Sequence, residues 1–456
     1  MNPEEFRAAG HELVEWCASY LESVEDVDVR PGVAPGWVRS QLPVGAPASA
    51  EPWADLLGDL DRVVRPGLTH WQSPRFHGYF PCNTSPAAAL AELAIATLGQ
   101  QGMLWATSPA TTELEQHVCD WLVELLGLPA GWRHDGGVGG GVITDAASTA
   151  TFTAVCAARD AASAPVERLT AYTSVDAHSS VEKALRLAGF RPDQLRLIPV
   201  DERRRMDVDA LRAAVAADEH PFLVVSTIGT TSFMATDPVA DVGAVAREHR
   251  MWHHVDAAMA GTGGLSPRLR ALVTDGLDTA DSYCVDPHKW LGTGMDCDVL
   301  FVRDRAPLVR AMSVVPEYLR NALSDSGEVV DFRDWGVPLG RRFRALKLWF
   351  LLRLEGAAAL TEMVERHDDL SIWLAEQVVI HPKLELVVPR ELPLVCLAHV
   401  DGDAATQRLI DAVNDDGALV THTKLDGRLV LRVCTAQRLT EQRHVEALWG
   451  SISRSA

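Results

Sequence analysis

The 456-residue sequence lacks the features that would assign it to a membrane, a nucleic acid or a metal ion. No apolar run is long enough to cross a bilayer, and the N-terminus has no basic segment followed by an apolar one, as a secretion signal would. The formal net charge of −20, without a basic stripe, argues against binding to nucleic acid or to anionic membrane. The eight cysteines form neither a CxxC pair nor a Cys/His metal-binding spacing. We therefore expect a cytoplasmic protein with reduced thiols and no metal.

Short apolar runs alternate with helical patterns through the middle of the chain. The runs predict strands at residues 142–143, 169–173, 195–200, 222–227, 252–255, 282–285 and 299–302. Helices are predicted between them, at residues 147–161, 180–188, 208–216 and 239–248. Such alternation is typical of an α/β fold with a mostly parallel sheet and helices on both faces. A long helix from near Arg342 and later short strands predict a smaller α+β domain, with strands at 384–388, 394–399, 418–424 and 428–433.

The first 84 residues carry too little apolar sequence to form a domain of their own. They predict one helix from Pro3 to about Leu21 and another from Trp53 to Val64, separated by a Pro/Gly-rich segment. The first helix has an apolar face that needs a partner, and a second subunit would supply one. We therefore divide the chain into a helical dimerisation arm, a large ligand-binding domain and a small C-terminal domain, at residues 1–84, 85–345 and 346–456.

Polar residues follow four of the predicted strands. His178, Thr230, Asp256 and Lys289 each come just after an apolar run. Because ligands of such sheets bind beyond the carboxyl ends of the strands, we expect these side chains to share one cleft. Lys289 lies in the tight turn DPHKW, where desolvation would lower the pKa of its amine and make it a nucleophile toward an aldehyde. Each residue alone is more simply explained as a strand-end cap or a loop residue in water.

A Gly-rich segment and a short strand lead into a predicted helix that begins near Ala147 and Ser148. Free backbone N–H groups, hydroxyl groups and the helix dipole make such a helix start suitable for a phosphate. A helix cap is the simpler explanation of Ser148 when it is considered alone. The helix start indicates a phosphate site only when it is considered together with the polar residues that follow the strands.

Together these residues are the parts that a protein needs to hold pyridoxal 5′-phosphate (PLP). Lys289 would form the Schiff base, and Asp256 would pair with the pyridine nitrogen and keep it protonated. His178 would stack on the ring. Ser148, the adjacent N–H groups and Thr230 would bind the phosphate.

Motifs that are typical of one enzyme family occur in order along nearly the whole chain. They are FHGYFP (76–81), SPATTELE (108–115), DAHSSVEKA (176–184), STIGTT (226–231), HVDAA (254–258), DPHKWL (286–291), MDC (295–297), PEYL (316–319), DSG (325–327) and PLGRRFRALKLW (338–349). By these motifs the sequence resembles the group II PLP-dependent decarboxylases, and among them the aromatic-L-amino-acid decarboxylases. The resemblance implies the aspartate-aminotransferase fold (fold type I), with a seven-stranded, mostly parallel sheet. It also implies a homodimer with active sites at the interface, which converts an L-amino acid to its amine and CO2.

The resemblance also assigns roles to single residues. Tyr318, in PEYL, matches a mobile-loop tyrosine that helps to protonate the substrate Cα after CO2 leaves. His288 matches the histidine that assists the lysine, and Arg432 matches an arginine near the cofactor phosphate. Asp286 stands where animal relatives have Asn, so its contact on the phosphate side is expected to differ. Further cofactor contacts are expected from the small residues Ala147 and Ala258.

An irregular, aromatic-rich segment from Thr69 to Pro86 is expected to line the substrate pocket. The expected lining residues are Trp71, Tyr79, Phe80, Pro81, Met103, Met295 and Gly340. Animal relatives place aromatic residues at the positions of Met103 and Met295 and a tyrosine at that of Met259, so the pocket walls here are softer. The retained aromatic residues favour an aromatic substrate, namely Trp, Tyr, Phe or DOPA.

Three other functions remain open. An aldehyde synthase of the same fold decarboxylates and then oxidatively deaminates, and in the family that change goes with loss of the loop tyrosine or the stacking histidine. Both Tyr318 and His178 are present here. A decarboxylase of glutamate or aspartate would need a basic group for the distal carboxylate, and the sequence does not identify one. A catalytically inert binding module would have no need to retain Lys289, Asp256 and His178 together.

Overall fold

The computed structural model describes residues 1–314 and 322–456. The strands of its large sheet are β1 Gly140–Thr144, β2 Thr170–Ser174, β3 Leu195–Ile198, β4 Pro221–Thr227, β5 Trp252–Asp256, β6 Ser282–Val285 and β7 Asp298–Val302. The α-helices of the described residues are α1 Pro3–Ser23, α2 Trp37–Gln41, α3 Trp53–Asp59, α4 Pro86–Leu98, α5 Pro109–Leu126, α6 Ala147–Ala161, α7 Ser180–Leu187, α8 Val208–Ala217, α9 Val239–Glu248, α10 Pro267–Thr274, α11 Arg305–Met312, α12 Ala322–Ser326, α13 Ala345–Leu354, α14 Gly356–Ile380, α15 Asp403–Asp415 and α16 Gln442–Ser455.

The large sheet is mostly parallel, as the alternating pattern predicts. Across the described residues its strand order is β1-β7-β6-β5-β4-β2-β3. Strands β2 to β6 run parallel, whereas β7 is antiparallel to both of its neighbours, β6 and β1. The connection from β6 to β7 contains no crossover helix, so β7 can return only in the opposite direction.

Side chains of the sheet alternate between two hydrophobic cores. On β7, Val299 and Phe301 pack into a core with α5, α10 and α13, while Leu300 and Val302 pack into a second core with α6, α7 and α11. Both faces are therefore covered, which explains why the strands read as continuous apolar runs. Polar side chains inside the strands, such as His253, His254 and Ser282, are buried and hydrogen-bonded to neighbouring strands.

A small antiparallel sheet forms the C-terminal part of the protein. Its strands are β8 Leu384–Leu386, β9 Leu394–His399, β10 Thr421–Leu425 and β11 Arg428–Cys434. They pair in the order β10-β11-β9-β8. Leu370 of α14, Leu409 of α15 and Leu448 of α16 pack in one core against this sheet, as a small α+β unit requires.

Some element boundaries differ from the predictions. The long helix predicted from Arg342 is two helices, because Gly356 has a φ of +77° and redirects the chain between α13 and α14. Helix α13 packs against α4 and α5, and the predicted division at 345/346 falls at its first residue. That division stays a prediction. The helix predicted from Trp53 to Val64 is α-helical only to Asp59 and continues as a π-helical turn.

Much of the apolar face of the N-terminal arm lies in water in the single chain. Within α1 only Ala9 is buried, while Phe6 is 49% and Val14 is 51% exposed. Large apolar side chains left in water along one helix are typical of a surface that another chain covers. Among the described residues, no helix combines the length and the apolar character needed to span a bilayer.

Candidate active site

Four predicted site residues lie along the carboxyl edge of the large sheet. Asp256 ends β5, Lys289 follows β6, Thr230 follows β4 and His178 follows β2. These four strands are parallel and adjacent in the sheet. Their carboxyl ends therefore meet at one edge, which is where α/β sheets bind ligands.

Lys289 is held in an ion pair with Asp286. Its Nζ lies 2.8 Å from Oδ2 of Asp286, and the lysine side chain is 27% exposed. Burial disfavours the charged amine, but the charge and hydrogen bond of Asp286 outweigh it, so the pKa of Lys289 is raised above its usual value. The lowered pKa expected from desolvation alone is therefore wrong, because a carboxylate in the same turn stabilises the charged amine.

Asp286 also contacts the start of α6 and His288. Its Oδ1 accepts a hydrogen bond from the backbone N–H of Ala147 at 3.1 Å. Nε2 of His288 lies 3.7 Å from the same oxygen, and Nδ1 of His288 lies 2.8 Å from the carbonyl oxygen of Cys297. Burial lowers the pKa of His288 although Asp286 opposes this, so the imidazole is neutral at neutral pH. Asp286 thus joins Lys289 to the first turn of α6.

The start of α6 is suited to an anion. The side chain of Ala146, which precedes the helix, makes no capping hydrogen bond, and Ser148 is exposed in the first turn. The N–H of Ala147 donates to Asp286 and that of Thr149 to the carbonyl oxygen of Ala146, so the helix dipole together with the N–H and hydroxyl of Ser148 would attract a phosphate. Ser148 lines a cavity of about 490 Å³ that also contains the predicted substrate residue Gly340, with further lining from Thr144, Phe152 and Trp335.

Asp256 is buried and has neutral neighbours on the sheet side. Its Oδ1 accepts a hydrogen bond from the N–H of Ala258 at 3.0 Å and lies 3.9 Å from Sγ of Cys284. The same sulfur lies 3.8 Å from Nε2 of His254. Burial lowers the pKa of His254 to about 4, although the negative charge of Asp256 acts to raise it. The Asp256 carboxylate is therefore able to pair with a cation beyond the strand end.

His178 and Thr230 differ in their exposure. His178 is exposed, and its Nδ1 accepts a hydrogen bond from the N–H of Ser180 at 3.2 Å. Thr230 is fully buried, and its hydroxyl oxygen accepts a hydrogen bond from the N–H of Ala235 at 3.1 Å. The ring of His178 is thus free to stack on a ligand. The roles of both residues stay predictions.

The aromatic segment forms a cluster at the boundary with the small sheet. The rings of Trp71 and Tyr79 stack with centroids 5.9 Å apart, and Tyr79 is 57% exposed. Pro81 is buried. The ring of Phe80 faces the guanidinium group of Arg432 at 5.6 Å. Three of the four predicted aromatic-segment residues therefore lie in ring contacts that a substrate could extend.

Arg432 ties the small sheet to the loop that follows β4. It donates hydrogen bonds to the carbonyl oxygens of Thr231 at 2.6 Å and Ser232 at 2.9 Å, and to the hydroxyl of Thr421 at 3.1 Å. These bonds fix the turn that contains Thr230. The predicted place of Arg432 near a phosphate stays a prediction.

The remaining predicted pocket residues lie on separate loops. The carbonyl of Met103, between α4 and α5, accepts a hydrogen bond from the N–H of Arg333 at 3.0 Å. Met295, between β6 and β7, is 64% exposed. Tyr318 lies outside the described residues.

Three buried residues around Lys289 were not expected from the sequence pattern. The N–H of Asn83 lies 3.4 Å from the carbonyl oxygen of Lys289, and the Asn83 side chain donates to the carbonyl of Ala436. Asp298 and Thr144 are joined by a 2.7 Å hydrogen bond beside Asp286. The sequence could have indicated Asp298, because Asp286 directly follows the apolar run of β6 and Asp298 directly precedes that of β7.

This edge of the sheet occurs in a chain that matches one family over most of its length. The model for the pyridoxal-dependent decarboxylase conserved domain matches residues 35–400. The chain belongs to the pyridoxal-dependent decarboxylase family. It is 40% identical to a phenylacetaldehyde synthase of Arabidopsis thaliana, over 100% of this chain and 96% of the relative. It is 38% identical to an aromatic-L-amino-acid decarboxylase of Cavia porcellus, over 100% and 98%.

Comparison of the fold with solved structures also finds decarboxylases of this kind. The crystal structure of Oryza sativa TDC with PLP and tryptamine matches with a TM-score of 0.96 and 38% identity, over 100% of this decarboxylase and 98% of that chain. The predicted fold class, the cofactor PLP and the enzyme class are thereby confirmed. The residues present fit PLP, since an amine, a strand-end carboxylate and a helix start with the exposed hydroxyl of Ser148 lie at one edge.

Proposed function

We propose that this decarboxylase converts an aromatic L-amino acid, among Trp, Tyr, Phe and DOPA, to the corresponding amine and CO2. The supporting observation is the carboxyl edge of the sheet, where Lys289, Asp256 and the first turn of α6 lie in a chain of this family. The aromatic preference rests on the relatives, one of which is an aromatic-L-amino-acid decarboxylase and another a TDC with bound tryptamine. The exposed ring cluster of Trp71 and Tyr79 offers aromatic contacts to such a side chain.

Each site residue would have its own role in binding the cofactor. PLP supplies a ring that accepts electrons from the substrate Cα when CO2 leaves. Lys289 would hold the cofactor covalently through its amine, and Ser148 with the N–H groups of α6 would bind the phosphate. Asp256 would keep the ring nitrogen protonated by charge pairing. His178 would stack on the ring and limit its tilt.

Two further residues would handle protons. Tyr318 would give the substrate Cα its proton, because a phenol held within hydrogen-bond reach can donate it while water and oxygen are excluded. His288, neutral and fixed by the Cys297 carbonyl, would assist Lys289.

The aldehyde-synthase activity is the second candidate, since the Arabidopsis thaliana relative has that name. The presence of both Tyr318 and His178 favours simple decarboxylation. The guanidinium of Arg432, which faces the aromatic segment, already donates to Thr231, Ser232 and Thr421 and so offers little to the distal carboxylate of an acidic substrate.

The experiment that tests the function is an amino-acid panel with CO2, amine, aldehyde and peroxide all quantified. We expect equal amounts of CO2 and amine from at least one of Trp, Tyr, Phe and DOPA, with glutamate and aspartate inactive. Aldehyde and peroxide equal to CO2 in the wild type would establish the aldehyde synthase instead. Turnover of only an acidic or aliphatic amino acid would contradict the aromatic assignment.

The same assay on Tyr318→Phe tests the proton donor, since this change removes only the hydroxyl. Amine output should fall about 10²-fold or more, with part of the turnover diverted to aldehyde, ammonia and peroxide. PLP binding should be unchanged. Wild-type amine output without any aldehyde would exclude Tyr318 as the donor.

We also propose a cytoplasmic homodimer in which α1 packs on the partner and the active site lies at the interface. The exposed Phe6 and Val14 support this, because burying them on a partner removes apolar surface from water. Light scattering should give a dimer, and Phe6→Ser combined with Val14→Ser should weaken association at least about tenfold. Val379→Ser, at a similarly exposed position on α14, is the matched control and should remain dimeric. A fully active wild-type monomer would disprove the proposal.

A further inference from the structure

Three polar side chains form a row across adjacent strands beside Lys289. In the antiparallel pair β6–β7, Val285 is opposite Val299, so Asp286 and Asp298 face each other one residue further on. On the other side of β7, Thr144 of β1 is paired with Asp298. The Thr144 hydroxyl donates a 2.7 Å hydrogen bond to Oδ2 of Asp298, and the Asp298 carboxyl is within hydrogen-bond reach of Asp286.

Two carboxylates cannot both be ionised in this position without a large cost. The side chains of Asp286 and Asp298 are buried, and like charges directly opposite each other in a sheet repel. In the described part of the chain, no N–H or hydroxyl group donates to Oδ1 of Asp298. Burial and then the charge of Asp286 raise the pKa of Asp298 well above its usual range. A proton on Asp298 removes the repulsion between the two carboxylates. It also lets the Asp298 carboxyl donate a hydrogen bond, so that its Oδ1 is no longer buried without a partner.

We propose that Asp298 is a positioning residue, a neutral acid that donates a hydrogen bond to Asp286 and holds the Asp286 carboxylate between the Lys289 amine and the first turn of α6. Asp286 already binds both of these groups, at 2.8 Å and 3.1 Å. With the donor in place, Asp286 carries the single negative charge that balances the amine. Without it, Asp286 loses one of the contacts that fix its orientation.

Other ionisable groups face this pair. His288 lies 3.7 Å from Asp286 and is neutral, while Asp256 and Cys284 act on Lys289 from β5 and β6. Burial and the nearby carboxylates keep the Cys284 thiol protonated. The charges that bear on Lys289 are therefore those of Asp286 and Asp256, and the protonation of Asp298 decides whether a third is added.

Infrared spectroscopy of the cofactor-free protein tests the protonation directly. A buried carboxylic acid has a carbonyl band that a carboxylate lacks, and the wild-type minus Asp298→Asn difference spectrum should show this band at about pH 8. Asp237, whose pKa burial raises to about 7, is mostly ionised there. Asp237→Asn is therefore the matched control and should remove little or no acid band. Absence of the band in the Asp298 difference spectrum would overturn the proposal.

Two substitutions of Asp298 then distinguish a role as hydrogen-bond donor to Asp286 from a role as a negative charge. An asparagine at position 298 accepts from Thr144 and donates to Asp286, as the protonated acid does, whereas an alanine does neither. PLP affinity and the pH midpoint for trapping PLP on Lys289 with borohydride should stay within about twofold of wild type in Asp298→Asn. In Asp298→Ala, PLP affinity should fall about tenfold and the midpoint should shift.

A loss in Asp298→Asn as large as that in Asp298→Ala would show that an ionised Asp298 is required and would overturn the proposal. Thr144→Val provides an intermediate case, since it removes the donor to Asp298 but leaves the acid facing Asp286. The cofactor measurements rest on the proposed function. If wild-type protein trapped no PLP on Lys289, the proposed function would fail, while the infrared result would still decide the state of Asp298.

Discussion

Replacing Lys289 by alanine should lower kcat by at least about 10³-fold and abolish the borohydride-stable bond between PLP and the protein. The amine of Lys289, beside Asp256 at the strand ends, can bond covalently to an aldehyde, and its loss removes the proposed attachment. The fold should persist because Asp286 keeps its hydrogen bond from Ala147. Circular dichroism checks the fold, and a peptide map of borohydride-treated protein identifies the modified residue.

The small number of lysines makes this map decisive. The chain contains five, at positions 183, 289, 347, 383 and 424. Lys424→Ala, at an exposed position on β10, is the matched control and should keep both the PLP bond and the activity. Wild-type modification at a lysine other than 289 would disprove the assignment.

Asp256→Asn should lower kcat by about 10²- to 10⁴-fold while changing the free energy of unfolding by less than about 1 kcal/mol. The amide keeps the acceptor for the N–H of Ala258, so little structure is lost. It loses the negative charge, which by direct pairing would keep the ring nitrogen of PLP protonated. Steady-state kinetics and urea unfolding measure the two effects separately.

Asp237→Asn is the matched control for Asp256→Asn and should behave in the opposite way. The two carboxylate oxygens of Asp237 accept from the N–H groups of Met206 and Thr227, and an amide can serve only one of them. The free energy of unfolding should fall by about 1–3 kcal/mol, with kcat near the wild-type value. Activity of Asp256→Asn within a few-fold of wild type would show that Asp256 is only a strand-end cap.

The sheet was predictable from the sequence because its strands are buried on both faces. Continuous apolar runs such as 282–285 and 299–302 have no other stable location in a protein of this kind. The sequence pattern did not show that β7 reverses direction, since buried parallel and antiparallel strands have the same composition. It also did not show the break at Gly356, because α13 and α14 share one helical pattern.

The position of a site residue was easier to predict than its electrostatic state. Lys289 and Asp256 are at strand ends, and strand ends follow from the apolar runs. The raised pKa of Lys289 depends on the distance to one oxygen of Asp286, which a pattern cannot give. Asp298 opens a strand of apolar residues, and only the register with β6 shows that it faces a second carboxyl.

The edge position of β1 sets the order in which the chain can assemble. During synthesis β1 leaves the ribosome before the other strands of the large sheet, yet its neighbour there, β7, leaves last. Such long-range pairing forms slowly, and β1 exposes an unpaired edge until then. Thr144 reaches Asp298 only when this pairing closes the sheet. A nascent chain that already contains Lys289 therefore lacks the completed row beside it until β7 has paired with β1.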